Sequence, residues 1–217
     1  MTELMYDSMP DPDGPQVYLD DVEPNIFLAF SEYGYTGTYQ TPDDGHPYIP
    51  NVEDETDRLG RGIDLMERTD ARDRLRESFR SLKYDGSAAL PVENPRLMFH
   101  FELYDFASYY RIHGLAQQCL KSLHRDLCNY TLRRDNIRKV VNVLFAIYRH
   151  RYDEMRELII HYVACHEKRL SRELTFKDAL FANNQIAKDL AAKLEEAERV
   201  PIPIKEGYEE WKKDLNK

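Results

Sequence analysis

Hydrophobic and polar residues alternate with a helical period along much of this chain. Over 94–127, NPRLMFHFELYDFASYYRIHGLAQQCLKSLHRDL, the positions Phe99, Leu103, Phe106, Ala107 and Tyr110 recur at helical spacing and predict a helix with one apolar stripe. Asn94 suits the N-cap of that helix, Pro95 its first position and Gly114 the C′ glycine that closes it. Leu115, Cys119, Leu123 and Leu127 then lie four apart and predict a second helix, packed on the first as an antiparallel pair.

Helical periods continue downstream. Ile137, Val140, Val141, Leu144, Ile147 and Tyr148 form one apolar face, and Met155, Leu158, Ile159, Tyr162 and Val163 form another, with Asp153 as N-cap of the second helix. Thr175 and Asp178 resemble a capping box that opens a further helix. That helix is expected to break at Asn183-Asn184, run on through Ile186, Leu190 and Leu194, and end at Pro201 and Pro203.

The pattern upstream is weaker. Residues 1–15 form a flexible lead in which Pro10, Pro12, Gly14 and Pro15 block regular structure. Gln16–Leu19 is expected to be a short strand, and Asn25–Tyr33 a short helix with Ile26, Phe27 and Phe30 inward, followed by a turn at Tyr35-Thr36-Gly37. Residues 40–93 begin with a Pro/Asp/Gly-rich linker and are expected to be largely disordered, except for a short amphipathic helix over 69–82 carrying Leu75, Phe79 and Leu82. The plain reading of that helix is a solvated element on a loop; the sharper one is a helix that docks a partner. Segments 16–39 and 94–130 together make the core, 131–199 a C-terminal helical extension, and 200–217 a tail bearing the single tryptophan, Trp211. The fold class is mainly α with an α+β remnant.

Composition narrows the function classes. A net charge of -9 over 217 residues argues against nucleic-acid binding by bulk electrostatics, because phosphates attract Lys and Arg. Arg149 and Arg151, at a helix end, match the macrodipole without a ligand. The cysteines, Cys119, Cys128 and Cys165, are odd in number and have no close pairs, which indicates a reducing compartment. No apolar run nears the roughly 20 residues of a membrane span, and the acidic, proline-interrupted start is no signal peptide. The expectation is a soluble protein of the cytoplasm, the nucleus or both.

Candidate chemistry is sparse. His161 and Cys165 lie one helical turn apart with His166 beside them, but further ligands at convincing spacing are lacking, so no metal or cofactor is assigned. There is no Gly-rich phosphate loop and no nucleophile elbow, and the expectation is a protein that is not an enzyme. The alternatives are a helical scaffold and, further off, a metal-dependent enzyme built on His161. The aromatic load says more: of 15 tyrosines and nine phenylalanines, Phe27, Phe30, Phe99 and Phe106 are assigned to the core. Tyr33, Tyr35, Tyr104 and Tyr109 cannot all point inward from helices with single stripes. Exposed tyrosine favours protein interfaces.

Two stretches carry a family resemblance. In FELYDFASYYRIHGLAQQCLKSL, Tyr104, Ala107, Tyr110, Ile112 and Leu115 match the paired helices of a BTB/POZ domain. In VYLDDVEPNIFLAFSEYGYTGTY, the residues Leu19, Asp21, Pro24, Phe27, Tyr35, Thr36 and Gly37 are similar to the strand, acidic turn, helix and Tyr-Thr-Gly turn of that family, in the family's order. EMRELIIHYVACH resembles the helix after the core in fungal-type members. The family's first strand hairpin, helix and next strand have no counterpart, so the expectation is a truncated BTB/POZ-like core. The resemblance implies a protein–protein interaction module that self-associates as a homodimer and recruits a cullin scaffold of a ubiquitin ligase. By position, the contact residues would be Asn25, Tyr33, Tyr35, Tyr104 and Tyr109.

Overall fold

The computed structural model describes residues 22–45, 66–133 and 135–199, and these are mainly helical. In chain order the helices are α1 (Pro24–Thr36), α2 (Met66–Arg80), α3 (Leu97–Tyr109), α4 (His113–Asn129), α5 (Ile137–Arg149), α6 (Asp153–Cys165), the single turn α7 (Glu167–Leu170), α8 (Leu174–Ala182) and α9 (Asn184–Arg199). The predicted strand Gln16–Leu19, the flexible lead 1–15, residues 46–65 of the linker expected to be disordered and the tail 200–217 lie outside the described residues, whereas the start of that linker, 40–45, is described and held by bridges to Leu90 and Pro95.

Helices α3 and α4 pack on each other as expected. Their ends differ from the prediction. Asn94 and Pro95 do not cap α3, whose N-cap is Arg96. The backbone at 94–96 is committed elsewhere: Asn94 O accepts from Asp44 N at 2.8 Å, and Arg96 N donates to Pro42 O at 3.2 Å. Gly114 does not end α3 either. The left-handed residue in the connection is Arg111, with φ 55°, and Gly114 lies in the first turn of α4. A Cβ at Gly114 would come within 2.5 Å of the Tyr33 hydroxyl, so glycine is needed there for close approach.

Helix α3 is also more deeply buried than one stripe implies. Besides the predicted positions, His100, Phe101 and Tyr104 are buried. Helix α6 is buried on all sides through Met155, Leu158–Cys165, and packs against α2, α4, α5, α7 and α9. A helix covered all round takes the centre of a fold. Asp153 is one residue past its assigned N-cap position, which Tyr152 holds; the carboxylate sits instead in the first turn, near the positive helix end. Likewise α8 starts at Leu174 with Glu173 as N-cap, so Thr175 and Asp178 form no capping box. The break at Asn183 is present, and Asn183 Oδ1 accepts from Gln185 N at 3.0 Å to start α9.

The helix expected over 69–82 spans Met66–Arg80 and is not a solvated element. Leu75 and Phe79 are 5% and 4% exposed, and α2 packs against α6 and α9. His124 Nε2 donates to Phe79 O at 2.7 Å, which satisfies one of the last carbonyls of the helix. Arg74 bonds Ala197 O at 3.1 Å. The stretch 72–93 is therefore ordered, with Leu75, Phe79 and Ala89 buried against the rest of the core.

In place of the expected remnant sheet, the described residues hold two isolated bridges. Gln40 pairs with Leu90 in parallel and Asp43 with Pro95 antiparallel. Segment 38–45 is fixed to the core by a polar cluster. Tyr39 donates to His100 Nδ1 at 2.9 Å, and His100 Nε2 donates to Asp126 Oδ2 at 2.8 Å. Arg125 Nε donates to Asp126 Oδ1 at 2.7 Å, and Arg125 also bonds Ala89 O. Tyr39 and His100 are fully buried, so each polar atom needs this partner.

Candidate partner interface

Helix α1 is set by Pro24 at its start and by Gly37, which closes it in the left-handed conformation at φ 75° with its N–H on Tyr33 O. Ile26 and Ala29 face the core. Phe30 follows them and meets Phe106 of α3, with ring centroids 5.3 Å apart. That contact starts a run of rings: Phe27 lies 6.2 Å from Phe30, Tyr110 is 4.6 Å from Phe106, and Tyr109 is 4.9 Å from Tyr110. Phe30 and Tyr110 are half-buried, whereas Phe27 and Tyr109 are exposed. Leu28 and Tyr35, seven residues apart and so on one face of α1, are 63% and 93% exposed. The result is an aromatic surface spanning α1 and the end of α3, anchored by buried rings and open at both ends.

The five residues predicted as partner contacts fall in different places. Tyr109, 78% exposed, ends this run of rings, and Tyr35, 93% exposed, stands with Leu28 on the outward face of α1, about 80° around the helix from Phe27. Asn25 is exposed and lies about 160° around α1 from Phe27, on the side of the helix away from the ring contacts, but only about 60° from Leu28. Tyr33 is half-buried with its hydroxyl over Gly114. Tyr104 is not a surface residue. It is 6% exposed, its ring meets Tyr152 edge-on at 5.2 Å, and burial raises its phenol pKa. Tyr152 in turn donates to Asp105 Oδ1 at 2.6 Å. Tyr104 thus ties α3 to the turn before α6. Phe27, assigned to the core, is 42% exposed; together with Leu28 it is the part of the face that sequence reading missed. The signal was present in α1, which has more large apolar residues than one buried stripe can hold.

The metal-like residues take structural roles. His161 Nε2 lies 2.9 Å from Ser78 Oγ and 3.1 Å from Leu75 O, which joins α6 to α2. Burial pushes the Cys165 thiol up to about 12, and burial beside Arg76 and Arg169 pushes His166 down to about 4. A thiol held protonated is a poor metal ligand. Among the described residues no group of three His, Cys, Asp or Glu is placed to hold one ion. A cleft of about 200 Å³ opens near Asp126, and the cations Arg125 and Lys139 at its wall are paired with Asp126 and Asp44. No helix among the described residues is long and apolar enough to cross a membrane.

Searches against family models, curated proteins and solved structures find no match to this chain. The BTB/POZ resemblance rests on the motifs quoted for it.

Proposed function

We propose that this protein is a non-catalytic interaction module of BTB/POZ type, an adaptor whose partner face is the aromatic surface of α1 and the end of α3. The observation that carries this reading is the run of ring contacts from Phe27 to Tyr109, buried in the middle and exposed at its ends. Rings fixed by a buried base lose little side-chain freedom on binding, which is the property of interface hot spots. The packing of α1 on α3 supports the BTB/POZ arrangement in particular, since the two matched stretches meet there. The partner proposed is the N-terminal region of a cullin.

One observation favours a second reading, a helical scaffold without BTB kinship: the described residues contain isolated bridges and no strand. Titration of purified cullin N-terminal region into the folded protein separates the two. The adaptor reading expects binding that weakens at least tenfold when Tyr35 and Tyr109 are both changed to Ala. No binding by folded protein refutes it and leaves the scaffold.

A further inference from the structure

Helix α5 is set apart by its charge. The chain carries 39 Asp and Glu against 30 Lys and Arg, yet the stretch 136–152, NIRKVVNVLFAIYRHRY, contains no acidic residue. Its apolar side, which includes Ile137, Val140, Leu144 and Ile147, is buried. At about 100° per residue, Arg138, Asn142, Phe145 and Arg149 fall together on the other side, in a strip about 60° wide. Arg138, Asn142 and Arg149 are exposed, Phe145 is half-buried, and exposed Arg151 follows in the turn after the helix. Arg138, Arg149 and Arg151 are in no ion pair among the described residues, whereas Lys139, on the flank, is paired with Asp44. The strip reads cation, amide, ring, cation over a rise of about 16 Å. The helix macrodipole accounts for Arg149 and Arg151, at the C-terminal end. It does not account for Arg138, which lies in the first turn, where a cation is disfavoured and where α5 has no acidic residue.

We infer that this strip of α5 docks a short acidic segment of a partner protein, an extended stretch with a carboxylate at each end and an apolar side chain between them. Charge complementarity selects the ends: an arginine guanidinium accepts a carboxylate in a two-pronged hydrogen bond, and the strip offers one such group at each end. Spacing selects the pattern. Alternate residues of an extended chain share a face and rise about 3.3 Å each, so carboxylates four residues apart stand about 13 Å from each other. The long arginine side chains cover the remaining few ångströms. The residue midway between those carboxylates then lies over Phe145, about 6 Å along the helix from Arg149, and an apolar side chain there covers the ring. Charge also sets the occupant's size. At physiological salt, charges act over about 8 Å, so a long polyanion or an anionic lipid surface laid on α5 would also meet the field of a chain whose net charge is -9. A short segment touches the strip alone. The inference uses no residue of the aromatic surface and does not rest on the adaptor reading.

The test is an amide NMR titration of the full chain with a capped synthetic peptide, Gly-Glu-Ser-Leu-Ser-Glu-Gly, with circular dichroism confirming that each variant is folded. Exposed ion pairs are individually weak, so the peptide is expected to bind with a Kd on the order of hundreds of micromolar, with shifts centred on 138–151. The same peptide with Gln in place of Glu is expected to give no shifts, and 0.5 M NaCl to weaken binding at least fivefold. Arg138→Glu with Arg149→Glu is expected to abolish binding of the acidic peptide and to create binding of its Lys counterpart, which the wild type does not bind. Arg138→Gln alone, a change the macrodipole favours, keeps the test open if the double variant does not fold; it is expected to weaken binding at least threefold. A wild type that shows no shifts at 5 mM peptide overturns the inference. So do shifts of equal size with the Gln peptide, or binding indifferent to Arg138→Gln and to the double reversal.

Discussion

Gly114 shows how one absent methyl group can fix the angle between two helices. With the Tyr33 hydroxyl 2.5 Å from where a Cβ would stand, Gly114→Ala must push the phenol aside. The expected cost is about 1–3 kcal/mol, as for other overpacked contacts. In a Tyr33→Phe background the clash is gone, and the same Gly114→Ala is expected to be neutral or to stabilise by up to about 1 kcal/mol through helix propensity. Urea melts of the four proteins give the cycle; a Gly114→Ala effect equal in both backgrounds would show that Tyr33 is not the cause. Local sequence could not reveal this contact. A glycine after an apolar stripe looks like a helix terminator, but the left-handed position fell to Arg111 and the reason for the glycine came from α1. The cluster of Tyr39, His100 and Asp126 was equally hidden. Its members lie in three separate segments, and nothing next to His100 in the sequence distinguishes it from any histidine on an apolar helix.

At the scale of elements, α2 is where period and packing part. The spacing of Leu75 and Phe79 located the helix, but its surroundings are supplied by α4, α6 and α9, which a local pattern cannot show. Phe79 meets the rings of His124, His161 and Tyr162 at 4.9, 5.3 and 5.7 Å. Phe79→Ala is therefore expected to cost about 3–5 kcal/mol and to speed hydrogen exchange across Met66–Arg80. A change within about 0.5 kcal/mol would instead fit a solvated helix. The same region sets a pH dependence. Folded His166 titrates near 4, against 6.5 for the free side chain, because burial and the charges of Arg76 and Arg169 disfavour its cation. Between those pH values the unfolded chain binds a proton that the folded chain does not. Its contribution to stability is thus flat above about pH 6.5 and falls as pH drops toward 4, at up to about 1.4 kcal/mol per unit. His161, lowered chiefly by burial, acts in the same direction. His166→Gln is expected to flatten the slope of urea-derived stability over pH 4–6.5, and an unchanged slope would assign the effect to other groups. The burial of α6 on all sides was visible only in part, since His161 and Cys165 interrupt an otherwise apolar surface.

At the scale of the whole molecule, a core around α3, α4 and α6 leaves, among the described residues, the aromatic surface of α1 with the end of α3 exposed. The mainly helical class was legible from the periods alone, because most elements bury a stripe that the sequence displays. Which tyrosines would be exposed was not legible, because Tyr104 and Tyr109 point about 140° apart on the same helix and only the turn before α6, through Tyr152, decides that the side of Tyr104 is the covered one. The central claim is that the aromatic surface binds a protein partner of cullin type. Hydrogen–deuterium exchange of the folded chain, alone and with purified cullin N-terminal region, tests it most directly. The account predicts slowed exchange confined to Pro24–Thr36 and to 106–112, and loss of that protection when Tyr35 and Tyr109 are replaced by alanine. Unchanged exchange at saturating cullin, or protection that falls outside α1 and the end of α3, would contradict it.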